Sequence, residues 1–259
     1  MNLAVIGYGR MGRAVRAAAI ARGHGVRTID PRAEDADFAE ITPEALEGVE
    51  VCLEFTRPGA AAGNLLRLAA LGKDVVCGTT GWHDRFGEVK AAVEAAGTGL
   101  LHGANFSPGV HLFFRVVRRA AELFAPFPGY DAAGFEIHHR GKADSPSGTA
   151  RRLAEILLEV LPGKERALFD RPHRPVEAGE LHFASLRAGA NPGVHAVLFD
   201  GEGESVRIEH VLRDRSALAA GAVRGAEWLR GRRGVFTVEA FMEDLVRGKA
   251  GGRQGGESP

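Results

Sequence analysis

The 259-residue sequence has little cysteine: only Cys52 and Cys77 occur, each inside an apolar run. Two such residues give no disulfide framework, so the expectation is two buried strand thiols in a reducing compartment, the cytoplasm. Net charge is also lacking. The 33 Lys and Arg residues balance 33 Asp and Glu, leaving no bulk field to recruit DNA, RNA or an anionic membrane; a charged ligand must be met by a local site. No apolar stretch approaches the roughly 18 residues of a membrane helix, and the N-terminus opens on a strand-like run rather than a signal segment. No internal repeat is present. With 45% apolar and 25% charged residues the composition is that of a globular chain, long enough for one large domain or two small ones. Glycine is the excess, at 35 residues, nearly twice its usual share of about 7%. Some of these glycines are expected where backbone approaches a ligand.

The first hundred residues alternate short β-branched runs (3–6, 26–29, 51–55, 75–77, 100–102) with Ala/Leu-rich helical stretches (10–22, 59–71, 84–96), the pattern of βα units feeding a parallel sheet. Residues 31–48 are acidic and weakly periodic, which predicts a loop or short helix. A longer apolar helix at 110–124 is broken by Ala125-Pro126-Phe127-Pro128-Gly129. Strand-like segments at 130–139, 180–187, 194–200 and 205–212 follow, with one helix at 148–161. Consecutive strands with few helices predict a mixed or antiparallel sheet. Helical periodicity returns at 216–230 and 237–246. These two helices are too short to bury their apolar faces alone and are assigned to the first domain. The expected fold class is therefore α/β: a Rossmann-type parallel-sheet dinucleotide-binding domain (1–107 and 216–249) plus an α+β substrate and oligomerisation domain with a mixed sheet (108–215). Residues 250–259 are expected to be disordered.

Val5-Ile6-Gly7-Tyr8-Gly9-Arg10-Met11-Gly12 places a Gly-x-Gly-x-x-Gly between the first strand and the first helix. Gly7 permits the tight turn, Gly9 admits a pyrophosphate to the backbone, and Gly12 allows close helix–strand packing over a helix N-terminus that attracts anions. Asp30, at the end of the second strand, is placed to accept hydrogen bonds from a ribose, and Arg32 to pair with a ribose phosphate, so NADH and NADPH both stay open. Gly78-Thr79-Thr80-Gly81 and Gly103-Ala104-Asn105-Phe106-Ser107 end the fourth and fifth strands on the same carboxyl edge.

The most informative stretch runs from Glu136 to Ala150 and holds His138, His139, Lys142 and a helix start. Ser147 is a good N-cap for the apolar-periodic residues that follow, which leaves the N–H groups of Gly148 and Thr149 facing outward as a carboxylate site. Lys142 adds a full positive charge, and a histidine titrates where proton transfer is useful. Adjacent strand residues face opposite ways, so His138 and His139 reach one ligand only if the strand ends between them. With no cysteine or His-x-x-x-His nearby, no metal is expected. His195 and His210, inside strand segments, read as core or sheet-face histidines.

This stretch resembles the signature of the 4-hydroxy-tetrahydrodipicolinate (dihydrodipicolinate) reductase family. The glycine loop, Gly78–Gly81, Ala104–Ser107, Gly193–Phe199, and His210 followed by Arg215 and Gly221-Ala222 fall in that family's order. The resemblance implies an NADH- or NADPH-dependent reductase of the diaminopimelate and lysine pathway acting on a small cyclic dicarboxylate, and typically a homotetramer. It implies His138 as proton donor, Lys142 as second donor and carboxylate partner, His139 as a substrate contact, and Ser147, Gly148 and Thr149 around a carboxylate. The cofactor would be lined by Gly7, Tyr8, Gly9, Arg10, Met11, Gly12, Asp30, Arg32, Gly78, Thr79, Thr80, Gly103, Ala104, Asn105 and Phe106. Pro31 stands where many members have arginine after the acidic residue, which weakens the case for tight NADPH binding. Two rival readings are a related oxidoreductase for another amino-acid-derived imine or aldehyde, and a non-catalytic NAD(P) sensor; the latter has no need of His138, Lys142 and the Ser147 cap together.

Overall fold

The structure, a computed structural model, describes residues 1–169 and 171–248. The expected disordered tail lies outside the described residues. In chain order the elements are β1 (Asn2–Ile6), α1 (Arg10–Ala21), β2 (Gly25–Ile29), β3 (Val51–Glu54), α2 (Pro58–Ala70), β4 (Asp74–Cys77), α3 (Phe86–Ala96), β5 (Gly99–His102), α4 (Pro108–Phe124), β6 (Asp131–His138), α5 (Gly148–Val160), β7 (Arg166–Leu168), β8 (Glu180–Arg187), β9 (Val194–Asp200), β10 (Ser205–Val211), α6 (Ser216–Leu229), β11 (Gly234–Thr237) and α7 (Val238–Val246). They form two compact units, one of residues 1–108 with the chain from Arg215 onward, the other Gly109–Asp214.

In the first unit six strands pair in the order β11-β5-β4-β3-β1-β2, every pair parallel. Alternation along these strands feeds two cores. Ala4, Ile6, Cys52, Val75, Cys77 and Leu100 face α2 and α3, while Leu3, Val5, Val51, Leu53, Val76 and Leu101 face the side of α1, α6 and α7. Burial on both faces explains why these strands read as continuous apolar runs. Each fully buried Leu or Val contributes about 1.5–3 kcal/mol, so the paired layers carry the unit. The order of connection reverses between β1 and β3, and ligands of such sheets bind at the carboxyl ends of the strands flanking that point.

Between β2 and β3 the chain makes turns without a helix, settling the open choice at 31–48. Phe38 bridges to Ile29, Asp37 accepts from the N–H and hydroxyl of Thr28, and Arg67 on α2 donates to the Ile41 carbonyl. Two strands were not anticipated. β7 is three residues long, and β11 is a four-residue edge strand preceding the Thr237 cap of α7; neither offers enough alternation to be read.

The second unit has a mixed sheet, β10-β9-β6-β8-β7, antiparallel across β10/β9 and β9/β6 and parallel across β6/β8 and β8/β7. Phe113, Val117 and Ala121 of α4 and Ala150, Leu153 and Leu157 of α5 pack on Ala132, Leu181, Phe183, Val197 and Phe199 of the sheet. The pairing register carries that helix-facing side onward from the row Gly134–Phe183–Val197 to the row Glu136–Ser185–His195–His210, then to His138–Arg187. The apolar core thus gives way to polar side chains at one end of the sheet.

Candidate active site

The glycine turn behaves as its spacing requires. Gly7 has φ +92°, and a Cβ there would meet the Phe55 carbonyl oxygen at 2.5 Å. A Cβ on Gly12 would lie 1.9 Å from the Gly7 oxygen, so only glycine lets α1 start this close to β1. Gly9 has no atom within 4 Å of that position and is the N-cap of α1 without a side-chain cap bond, which leaves space and free N–H groups together. A cleft of about 560 Å³ runs from Gly7 and Gly9 past Asp30 and Arg32 to Thr56, Arg57 and Asn64. The Asp30 carboxylate is held at its wall by the Tyr8 N–H at 2.7 Å and the Arg32 N–H at 2.8 Å. An open glycine cap, a positive helix end and an anchored carboxylate fit a dinucleotide.

The other residues expected around the cofactor divide by role. Thr79 Oγ1 accepts from the Thr56 N–H at 2.9 Å and its carbonyl from the Trp82 indole at 2.9 Å. Gly78 and Gly103 are packing positions: a Cβ would strike the Phe55 ring at 2.0 Å and Val238 at 2.5 Å respectively. Phe106 is buried and edge-on to Phe55, Met11 in the first turn of α1 packs on the core, and Tyr8 is buried under the Arg13 guanidinium. None of the three lines the cleft. Arg10, Thr80 and Ala104 are exposed, and Asn105 Oδ1 accepts from the Ser107 N–H.

In the second unit β6 ends at His138, so the chain turns between the two histidines. His138 is buried and His139 half-buried on the turn that leads to Lys142, whose N–H donates to the His139 carbonyl. The Lys142 ammonium lies 2.7 Å from Asp144. Ser147 caps α5 by accepting the Ala150 N–H at 3.2 Å, and its hydroxyl meets His195 Nε2 at 3.2 Å. The Ser147 side chain thus fixes the helix end from inside, while Gly148 and Thr149 occupy the first turn at the surface.

Behind these groups stands Glu136, fully buried. Its Oε1 accepts from the Ser147 N–H at 3.0 Å, the Ser185 hydroxyl at 2.9 Å and the Arg187 guanidinium at 2.9 Å. Its Oε2 lies 3.2 Å from His138 Nδ1 and 3.5 Å from His195 Nε2. Burial opposes ionisation of this carboxyl, but the bonds from His195, Ser147 and Arg187 prevail and hold it well below the usual carboxylate range. Burial lowers His138 to about 4 in spite of Glu136, with His195, Lys142 and Arg187 adding to the fall. Burial pushes the Cys52 thiol up to about 12, and burial with Glu54 beside it raises Cys77, so both cysteines are inert core residues.

The sequence reading missed Glu136, Arg187 and the placement of His195, which is buried but belongs to this cluster. A signal existed for Glu136: two residues before His138 on a strand, it must share that histidine's face. Arg187 and His195 arrive from neighbouring strands and carry no local mark. The ground for expecting no metal also changes, since Glu136, His138 and His195 each offer a ligand atom within 4.8 Å of one another. The Arg187 guanidinium already neutralises that carboxylate, which opposes a dication beside it.

The family profile described as dihydrodipicolinate reductase, N-terminus, matches residues 1–106, and that described as dihydrodipicolinate reductase, C-terminus, matches residues 109–242. A protein of Christiangramia forsetii named 4-hydroxy-tetrahydrodipicolinate reductase is 32% identical, covering 95% of this chain and all of its own. One of the same name from Chromobacterium violaceum is 38% identical over 76% of this chain and 75% of its own. The fold is shared with a dipicolinate-bound dihydrodipicolinate reductase of Paenisporosarcina sp. TG-14, at a TM-score of 0.71 and 21% identity, covering 92% of this chain and 97% of that one. With both halves of the chain matched in order, it belongs to the dihydrodipicolinate reductase family.

Proposed function

We propose that the chain reduces 4-hydroxy-tetrahydrodipicolinate with a nicotinamide cofactor in the diaminopimelate and lysine pathway, and that His138 supplies the proton. The observation that carries this reading is the α5 N-terminus: Ser147 holds it from inside, and Lys142 and His138 stand on the segment leading into it. Bound reduced nicotinamide supplies the hydride. The chain's own part begins with the substrate's two carboxylates, which take the Lys142 ammonium and the Gly148 and Thr149 N–H groups, each charge-assisted bond being worth about 1.5–3 kcal/mol. His139 is a further substrate contact. The dicarboxylate brings negative charge to His138, favours its protonated form, and so arms the acid as substrate arrives.

The Asp30 carboxylate favours ribose hydroxyls over a ribose phosphate, while Arg32 and Arg57 line the same cleft. NADH is accordingly the better cofactor, with NADPH accepted. The face of the second sheet opposite its helices presents Phe135, Ile137, Leu198, Leu186 and Val211, the last two about half exposed. Such a face supports assembly with further copies of the chain into a homotetramer. Two buried free thiols suit the cytoplasm, and no helix among the described residues is long and apolar enough to cross a membrane. The test is His138→Gln: kcat should fall by roughly 10²–10⁴ with cofactor affinity unchanged. Unchanged turnover would remove His138 from the mechanism.

A further inference from the structure

The role of His138 depends on which ring nitrogen carries the proton and which faces the substrate, and the buried residues around it decide both. Buried polar atoms without a hydrogen-bond partner of good geometry include Glu136 Oε2, His138 Nδ1 and His195 Nδ1. The first two are 3.2 Å apart. Glu136 cannot turn away, because its other oxygen is gripped by Ser147, Ser185 and Arg187. On the far side of the imidazole, a Cβ on Gly193 would come within 3.2 Å of His138 Nε2, and Gly193 has φ +153°. Glycine at this position keeps that side-chain contact off Nε2. His195, 5.0 Å from His138 between ring centroids and nearly perpendicular to it, closes the third side.

We propose that Glu136 is the positioning residue of the proton donor: its buried carboxylate keeps the proton of His138 on Nδ1, stabilises the imidazolium, and leaves Nε2 as the atom that gives up a proton over Gly193. In the resting protein Nδ1–H faces Oε2 and Nε2 holds a lone pair. Nε2 takes a proton from solvent when the anionic substrate binds and passes it to the substrate, which returns the ring to the same tautomer. The charged and titratable groups facing His138 are Glu136 on its own strand, Arg187 on β8, His195 on β9 and Lys142 on the following turn. Of these Glu136 alone favours the protonated ring. The proposal rests on His138 being the donor.

The experiment is a pH profile of kcat for wild type, Glu136→Gln and Glu136→Asp, with one measurement on the wild-type chain. An opposite charge this close moves a titration by about 1–3 pH units, so Glu136→Gln should move the basic limb down by that amount and lose tenfold or more at neutral pH while losing less in acid. Glu136→Asp, which keeps the charge, should keep the limb. Should Glu136→Gln fail to fold, ring ¹⁵N shifts of His138 in the wild-type protein, assigned by their loss in His138→Gln, decide the matter. Nδ1–H is expected. An unmoved limb with uniformly lower kcat, or an Nε2–H tautomer, overturns the role given to Glu136. Full activity of His138→Gln overturns instead the reading beneath it.

Discussion

Replacing Ser147 by alanine tests whether the helix end that receives the substrate is held from the inside. The hydroxyl accepts the Ala150 N–H at 3.2 Å and meets His195 Nε2 at the same distance, in a position 3% exposed. Losing an N-cap costs about 0.5–2 kcal/mol, and stripping a buried imidazole of its partner costs about 1–3 kcal/mol. His195 keeps its 3.5 Å approach to Glu136, so the lower part of that second range applies and the sum is roughly 2–3 kcal/mol. For a unit of about a hundred residues each kcal/mol shifts the unfolding midpoint by about 4 °C, so the transition of the second unit should fall by roughly 8–12 °C. The assay pairs scanning calorimetry with steady-state kinetics. KM for the dicarboxylate should rise as the first turn of α5 frays, the cofactor Kd should stay, and Ser147→Thr, which still caps, should recover most of both. A midpoint within about 1 °C of wild type, or a lowered midpoint with an unmoved KM, would refute the argument that the cap presents the anion site.

Asp30→Asn removes the charge that repels a ribose phosphate while keeping an oxygen for one of the Tyr8 and Arg32 N–H groups, which bond to different oxygens of Asp30; kcat/KM for NADPH relative to NADH should rise about tenfold, and an unchanged ratio would show that Asp30 does not set the preference. Lys142→Ala should raise KM and lower kcat together; a change in stability alone would make the lysine structural. The free protein should lose stability in two stages on acidification. His138 titrates below its ordinary value, so the unfolded chain binds that proton first and stability falls between about pH 6.5 and about pH 4. Glu180, held down to about 2 by Arg174, the Glu177 N–H and Arg166, contributes stability that goes as pH falls from about 4.5 through about 2. Urea unfolding across pH should show both stages, and His138→Gln should flatten the upper one; a slope unaffected by that variant would contradict the depressed titration.

What local sequence determined here is what short-range geometry encodes. Gly7, Gly9 and Gly12 each answer a steric demand within one strand–helix turn, and Ser147 answers the unsatisfied N–H groups of the helix it opens. Both are legible because cause and consequence lie within a few residues. Alternating runs likewise announce strands buried on one face or two, whereas β7 and β11 fall below the length at which alternation carries a signal. The tertiary structure alone decided the surroundings of His138. Glu136, Arg187 and His195 come from three strands whose register is set by the packing of the whole sheet, and Gly193 opens one side of the ring from the start of a strand some fifty residues on. Burial then changes their chemistry, holding a carboxylate ionised inside the protein and an imidazole neutral beside it. Pairing register and desolvation are properties of the assembled sheet, so no segment of the chain states them by itself.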